Sequence, residues 1–263
     1  MNSADARALF EQFAAAVAYV AVRSPEGREG IGTATHVGDG VFVTARHVVE
    51  HNEILDVSST EKKYVRLPDD AGARTFVVLD GERYPAHTVM NTSISIEDPP
   101  VLHSDDRIDL AAFRAVDLDP LTPWVPLGGH LDDWLGASDF VLREAIVMGY
   151  PPIPFSLRPS LIVSRAEVNG QVKLRDAPPV HFLLSAVARG GYSGALAIDE
   201  GGFALGLVSR SLGEGGPPEL GFMTAISVDP IYEMLAGAQM LSAAQTEPFD
   251  GLWDSKGTEA AAQ

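Results

Sequence analysis

One serine lies in a glycine-rich segment, GGYSG at residues 190–194, between two apolar stretches at 182–185 and 195–198 that predict strands. Glycine has no Cβ and adopts positive φ freely, so consecutive backbone N–H groups in such a turn can point at one position. This arrangement suits a nucleophilic hydroxyl, Ser193, beside a site that binds an oxyanion. By itself the pattern is also typical of structural loops, so a catalytic interpretation depends on further residues.

A histidine supplies a candidate general base. His47 follows the apolar stretch 41–44 within the segment TARHVV at 44–49, and the pattern predicts a strand that ends in a short helical turn. A single histidine after a strand is more commonly a packing or surface residue. The segment therefore supports a catalytic interpretation only in combination with Ser193.

An aspartate supplies the third group. Asp109 stands at the start of the apolar stretch 110–116, where partial burial can hold an imidazole in one tautomer. Alone, it would be interpreted as a residue that begins a strand. Asp105 and Asp106 are alternative carboxylates, but they precede the apolar stretch and are expected to be exposed.

Short strands are the elements that must position these residues, and many short strands at close spacing indicate an all-β sandwich or barrel. The predicted strands are residues 17–22, 32–36, 41–44, 76–79, 110–116, 145–148, 162–168, 182–185, 195–198, 204–209 and 222–226. Two helices are predicted, a leading one over 4–16 with Ser3 as its N-cap and a second over 228–238.

A stretch rich in Pro, Gly and Asp, residues 117–139, separates two strand-rich halves, so two barrels are predicted. The expected organisation is an N-terminal helix, a first barrel, a connection, a second barrel with its C-terminal helix, and a tail. Their bounds are residues 1–14, 15–116, 117–140, 141–240 and 241–263. In the tail, Phe249, Leu252 and Trp253 are either a docking motif or residues that pack on the body or stay disordered.

The composition narrows the partner classes. Among 263 residues, 46% are hydrophobic, which is ample for a core, and 19 Lys and Arg against 36 Asp and Glu give a net charge of −17. Such a charge repels phosphate backbones and anionic lipids, so neither nucleic acid nor membrane is an expected partner. Cysteine is absent, which excludes disulfides and leaves the redox compartment undecided. No stretch reaches the length of a membrane helix and the N-terminus lacks a signal pattern, which predicts a cytoplasmic protein. The histidines lack metal-ligand spacing and no phosphate-binding loop is present, so no metal or cofactor is predicted.

In order and context, these segments resemble the trypsin-like serine peptidases, particularly the bacterial HtrA-type branch. TARHVV, RIDLA and GYSG correspond to the segments that hold the histidine, aspartate and serine of the family. Further correspondences are GIGTA at 30–34, VMGYP at 147–151, GLVS at 206–209 and LGFMTAI at 220–226, so the resemblance covers about residues 15–238. No room for a PDZ-type domain is expected after residue 238, so a regulatory partner protein or the terminal segments would supply any regulation.

The resemblance implies a fold and a set of roles. The fold is two six-stranded antiparallel β-barrels with short N-terminal and C-terminal helices. Ser193 would attack the scissile carbonyl, His47 would act as general base, Asp109 would orient His47, and the N–H groups of Gly191 and Ser193 would form the oxyanion hole. The residues implied for the substrate pocket are Val187, Ala188, Ser209, Arg210, Ser211 and Gly221, with Arg210 either touching substrate or covering the rim. None of them is acidic, so cleavage after a small or medium apolar residue is expected rather than cleavage after Lys or Arg.

The chain departs from the family pattern at two positions. Ala195 replaces the second glycine after the serine, and Tyr192 stands where digestive relatives carry an aspartate that pairs with a new N-terminus. Activation by that ion pair is therefore excluded, and Arg189 and Tyr192 are either switch elements or plain loop residues.

The alternative function is a catalytically silent trypsin fold that binds peptides or a protein partner. An α/β-hydrolase esterase is not supported, because both its Gly-x-Ser-x-Gly elbow and its Ser, Asp, His order are missing.

Overall fold

Short antiparallel strands make up most of the structure. The computed structural model describes residues 1–68, 75–79, 81–97, 99–128, 140–175, 179–186, 190–209 and 222–246. Two six-stranded units and a small three-stranded sheet form its body. The mostly-β, two-barrel fold class predicted from the sequence is confirmed.

The first unit is a curled six-stranded sheet. Its strands are β1 (Val17–Arg23), β2 (Glu29–His36), β3 (Val41–Thr44), β4 (Glu53–Ser58), β8 (Val101–Leu102) and β9 (Ala111–Arg114). They are hydrogen-bonded in the order β4-β1-β2-β3-β9-β8, so β4 and β8 are its edges. Phe42 on β3 and Phe113 on β9 pair across these strands, with ring centroids 5.5 Å apart.

A small sheet extends from the first unit. It consists of β5 (Lys63–Arg66), β6 (Thr75–Leu79) and β7 (Glu82–Val89), in the order β5-β7-β6. A contact of 2.6 Å between His87 Nε2 and Asp119 Oδ2 joins this sheet to the connection that follows β9.

The second unit is a closed six-stranded barrel. Its strands are β10 (Glu144–Gly149), β11 (Ile162–Lys173), β12 (Val180–Leu184), β13 (Leu196–Asp199), β14 (Ala204–Val208) and β15 (Met223–Ser227). Their order is β10-β11-β12-β15-β14-β13, and β13 pairs with β10 to close the barrel.

The described residues also form four short α-helices. They are α1 (Ser3–Phe13), α2 (Arg46–Val49), α3 (Asp229–Gly237) and α4 (Ala243–Thr246), and a 3-10 turn, Ala14–Ala16, follows α1. Asn2, not Ser3, is the N-cap of α1, because its side chain accepts hydrogen bonds from the N–H groups of Ala4 and Asp5. None of the helices in these residues is long and apolar enough to cross a membrane.

Two clusters of buried side chains form the core. One fills the space between the first sheet and the near face of the barrel, and it contains Phe42, Phe113 and Tyr150. The other lies inside the closed barrel around Phe182 and Leu184. His47 and Ser193, two of the residues predicted to form the site, line one cavity where these two units meet.

Candidate active site

The register of two strands places Asp109 beside His47. Thr44, the last residue of β3, pairs with Ala111, the first residue of β9. The strands are antiparallel, so the residues after Thr44 run alongside those before Ala111. The backbone N–H of His47, at the start of α2, accordingly donates to Asp109 Oδ1 at 2.9 Å.

The Asp109 carboxylate accepts three hydrogen bonds. Besides the backbone N–H of His47, its Oδ2 lies 2.7 Å from His47 Nδ1 and 2.8 Å from the hydroxyl of Ser209. Burial alone would raise the pKa of Asp109, but these hydrogen bonds and the charge interaction with His47 lower that pKa to about 2. Asp109 is therefore ionised at neutral pH.

The ionised carboxylate determines the tautomer of His47. A carboxylate without a proton only accepts, so the 2.7 Å contact requires that Nδ1 of His47 carries a hydrogen. In the neutral ring, Nε2 is then left with a lone pair. The His47 side chain is 26% exposed and lines a cavity of about 460 Å³ that Ser193 also lines.

The two alternative carboxylates, Asp105 and Asp106, do not bond to the His47 ring. Asp105 binds the guanidinium of Arg107, with its Oδ2 2.6 Å from Nη2. Hydrogen bonds from Arg107 lower the pKa of Asp105 to about 2. Asp106 is exposed, and among the described residues only Asp109 bonds to the His47 ring.

Ser193 occupies a turn that only glycines on either side permit. Gly191 and Gly194 have φ values of +90° and +92°. A Cβ at Gly191 would lie 2.3 Å from the carbonyl oxygen of Tyr150, and a Cβ at Gly194 would lie 2.0 Å from that of Thr33. The glycine-rich segment thus presses against both halves of the molecule, which explains why glycine is required there.

Three consecutive carbonyl groups of this turn, those of residues 191–193, have hydrogen-bond partners. The Gly191 carbonyl accepts from the Thr33 hydroxyl at 2.6 Å, the Ser193 carbonyl from the N–H of Thr33 at 2.9 Å, and the Tyr192 carbonyl from the N–H of Ala195 at 2.9 Å. Within the residues that the structure describes, the N–H groups of Gly191 and Ser193 donate no hydrogen bond. Both residues line the cavity of about 460 Å³.

The hydroxyl of Ser193 and the imidazole of His47 line the same cavity without a direct hydrogen bond between them in the described part of the chain. Such contacts are often longer before substrate binds. The structure therefore places two of the three predicted residues, His47 and Ser193, on one cavity and bonds the third, Asp109, to His47.

Ser209 has a contact that sequence reasoning missed. It was predicted to line the substrate pocket, whereas its hydroxyl donates to Asp109 Oδ2, 100 residues away in sequence. The position follows from pairing, because Val208 exchanges backbone hydrogen bonds with Gly194 and Ala195 beside Ser193. The remaining pocket residues, Val187, Ala188, Arg210, Ser211 and Gly221, lie outside the described residues, as does Arg189.

Within the described ranges, no group of three or more His, Asp and Glu side chains is arranged to hold a metal ion. Two other histidines, His36 and His181, are buried, and burial lowers the pKa of each. His36 binds backbone groups on both ring nitrogens, which is typical of a structural residue.

The family comparison covers most of the two sheets. Residues 32–207 match the family model described as the trypsin-like peptidase domain, which is more than half of the 263 residues. No curated protein matches the chain.

Solved structures share the fold at low sequence identity. Two structures of the HtrA-type protease AlgW with a tripeptide have TM-scores of 0.56 and identities of 17%, and the matches cover 93% and 91% of this chain. This chain spans 65% and 64% of those AlgW chains, less than two thirds of their length. The Rv3671c protease from M. tuberculosis, in its active form, has a TM-score of 0.56 and an identity of 16%, with 88% of this chain and 82% of that chain covered. At these identities the likeness shows the fold alone, and the resemblance stated from the sequence is confirmed at that level.

Proposed function

This chain belongs to the trypsin-like peptidase family, and on that basis we propose that it is a serine endopeptidase that acts on proteins or peptides through an acyl-enzyme. Ser193 is the nucleophile, His47 the general base and acid, and Asp109 the residue that orients His47. The observation that carries this proposal is the 2.7 Å contact between His47 Nδ1 and Asp109 Oδ2, which leaves Nε2 for the cavity that Ser193 lines.

Acylation follows from these positions. The hydroxyl oxygen of Ser193 forms a bond to the carbonyl carbon of the scissile peptide, and its proton passes to Nε2 of His47. The imidazolium that forms is stabilised by ionised Asp109. When the C–N bond breaks, Nε2 returns the proton to the leaving amine, and the acyl group remains on Ser193.

The tetrahedral intermediate carries a negative oxygen, and the N–H groups of Gly191 and Ser193 are the donors assigned to it. Both residues line the cavity, and both N–H groups are free within the described residues. Preorganised donors of this kind contribute about 3 kcal/mol each to transition-state stabilisation.

Deacylation repeats the sequence with water. The oxygen of a water molecule attacks the acyl carbon while His47 takes a proton from that water. His47 then returns the proton to the oxygen of Ser193 as the ester bond breaks. The products are a peptide with a new carboxyl group and the free enzyme.

The proposed specificity is for a small or medium apolar residue before the cut. This part rests on the sequence, because the residues implied for the pocket include no carboxylate that would pair with Lys or Arg. A peptide library separates the alternatives, since cleavage concentrated after Lys or Arg would contradict this specificity and leave the reaction itself unaffected.

The proposed reaction is tested with a fluorophosphonate probe and with a protein mixture whose new N-termini are read by mass spectrometry. Wild-type protein should be labelled at Ser193 and should generate new N-termini, whereas Ser193→Ala should do neither. Ser95→Ala, which changes an exposed serine outside the cavity, is the matched control and should behave as wild type. If folded wild-type protein does not react, the endopeptidase proposal is wrong and the result favours the alternative, a catalytically silent fold that binds peptides.

A further inference from the structure

Tyr192 directly precedes the proposed nucleophile, in a turn at the rim of the cleft, yet its side chain is only 3% exposed. We propose that Tyr192 is a positioning residue: its buried ring and a hydrogen bond between its phenol and the Ser164 hydroxyl hold the peptide that presents the Ser193 N–H to the oxyanion. This inference rests on the proposed function.

The ring is anchored in the interior of the closed barrel. It belongs to the buried cluster that contains Val147, Ala166 and Phe182. Gly149, the last residue of β10, leaves room for it, since a Cβ at that position would lie 2.7 Å from Cδ1 of Tyr192. A side chain packed in this way resists movement of the turn away from the barrel.

The phenol restricts rotation of the ring further. Its oxygen lies 3.0 Å from the hydroxyl oxygen of Ser164, and either group can donate. Ser164 belongs to β11 and pairs with Val147 on β10, so the partner of the phenol is held by the barrel wall. A buried tyrosine hydroxyl needs such a partner, because an unpaired polar group in the interior is costly.

The backbone of Tyr192 transmits this anchor to the site. The Tyr192 carbonyl and the Ser193 N–H belong to one peptide unit, which is planar and trans, so the two groups point in opposite directions. The carbonyl accepts from the N–H of Ala195 at 2.9 Å. With that end bound and the side chain buried, the direction of the Ser193 N–H is determined.

This anchor contains no charge. The sequence excludes an activating ion pair at this position, and the structure supplies a neutral side chain with a neutral partner instead. The turn is therefore held by groups that the chain itself carries, and loosening the phenol contact should affect the oxyanion donor more than substrate binding.

The test uses two single variants and their combination. Tyr192→Phe keeps the ring and removes the phenol oxygen, and Ser164→Ala removes its partner. Each should lower kcat on a peptide substrate about tenfold with KM little changed, the effect of one lost hydrogen bond. The double variant should be no worse than either single one, because both remove the same contact. Ser164→Thr, which keeps a hydroxyl, should retain most of the activity.

Inhibitor binding provides a second measurement. A peptide aldehyde, which forms a tetrahedral adduct with Ser193, should bind the Tyr192→Phe variant about tenfold more weakly, matching the loss in kcat. A peptide that binds without forming an adduct should keep its affinity. Tyr19→Phe is the control, since it also removes a phenol hydrogen bond, to Asp56 in the first sheet, and should leave kcat unchanged.

The outcomes separate the two proposals. Activity of wild-type protein that depends on Ser193, combined with unchanged kcat in both single variants, would overturn the role of Tyr192 and leave the endopeptidase proposal intact. Equal weakening of both inhibitors, or losses that multiply in the double variant, would also overturn it. A folded wild-type protein without Ser193-dependent turnover would remove the endopeptidase proposal and this inference together.

Discussion

Asp109 shows how one carboxylate is selected among three neighbours. Its oxygens accept from the backbone N–H of His47, the ring of His47 and the hydroxyl of Ser209. Asp105 is bound to Arg107 instead, and Asp106 is exposed. The low pKa of Asp109, about 2, keeps its charge over the whole range in which proteins are normally assayed.

Asp109→Asn should therefore lower kcat by about four orders of magnitude, because an amide can present its NH₂ group to Nδ1 and favour the wrong tautomer of His47. Steady-state kinetics on a peptide substrate measures this. Ser209→Ala removes only one of the three hydrogen bonds and should cost about tenfold. A smaller loss for Asp109→Asn than for Ser209→Ala would contradict the role assigned to Asp109.

At the scale of an element, the turn at residues 190–194 contains one glycine that the fold requires and one that it does not. Gly194 has a φ of +92°, and the space beside it is occupied by the Thr33 carbonyl and by the Thr44 hydroxyl. Gly190, in the same turn, is not among the glycines with positive φ, and a Cβ there would meet no atom of the described residues within 4 Å. The two glycines differ in what the fold requires of them.

Gly194→Ala should lower the free energy of unfolding by about 1–3 kcal/mol, because the added Cβ strains the backbone and collides with the Thr33 carbonyl. Denaturant unfolding followed by circular dichroism measures it. Gly190→Ala is the matched control and should change stability by less than about 0.5 kcal/mol. Equal effects of the two substitutions would show that backbone strain is not the reason for glycine at 194.

Some strands escaped sequence reasoning for reasons visible in their residues. In β4, a charged residue stands on each side of the apolar pair Ile54 and Leu55, so the short edge strand lacks the alternation of apolar and polar residues that predicts a strand. β7 contains Pro85, a residue that argues against a strand in sequence patterns. Both elements are held by pairing with neighbouring strands, and local composition does not report that pairing.

Thr33 connects the two halves of the whole molecule. From β2 in the first sheet its hydroxyl donates to the Gly191 carbonyl at 2.6 Å and accepts from the N–H of Tyr150 at 3.0 Å, while its own N–H binds the Ser193 carbonyl. The side chain is fully buried. The proposed oxyanion donors are thus positioned by both halves at once.

Thr33→Val, which preserves shape and removes the hydroxyl, should destabilise the protein by about 1–3 kcal/mol, since two buried backbone groups lose their partner. It should also lower kcat by loosening the Gly191 peptide. Thr33→Ser keeps the hydroxyl and should retain activity. Unfolding curves and kinetics on the same samples test both effects, and full activity of a destabilised Thr33→Val protein would disconnect Thr33 from the site.

Stability should also depend on pH through His36. The ring is buried, Nδ1 lies 2.8 Å from the Pro123 carbonyl, and Nε2 accepts from the N–H of Gly40 at 3.1 Å. Burial lowers the pKa of His36 below its ordinary value of 6.5, against the opposing effect of the Pro123 carbonyl and the charge of Asp39. At His36 the folded protein thus binds fewer protons than the unfolded chain. The contribution of neutral His36 to the free energy of unfolding is therefore fully present above pH 6.5 and is lost as the pH falls below that value.

The contribution of one such group is at most about 1.4 kcal/mol per pH unit. Urea unfolding at pH 7.5 and 5.5 should show a smaller loss on acidification for His36→Gln than for wild type, although the variant is less stable at both values. An identical loss in the two proteins would assign the acid sensitivity to other groups, of which buried His181 is the next to test.

The sequence by itself determined which residue types are available and in what order. His47 after a strand, Asp109 before one and Ser193 among glycines were each recognisable, because backbone conformation within a few residues depends on the residues themselves. All three positions lie within residues 32–207, the range that matches the family model. Several strands and both longer helices were predicted close to their observed positions for the same reason.

Only the tertiary structure decided which of these residues touch. The contacts of Asp109 with His47 and with Ser209 join residues 62 and 100 positions apart, and the Thr33 hydroxyl reaches Gly191 over 158. Strand register and the packing of one half against the other set such contacts, and a local pattern contains neither. The buried position of Tyr192 has the same origin, since only the assembled barrel provides the space and the Ser164 hydroxyl that hold its ring.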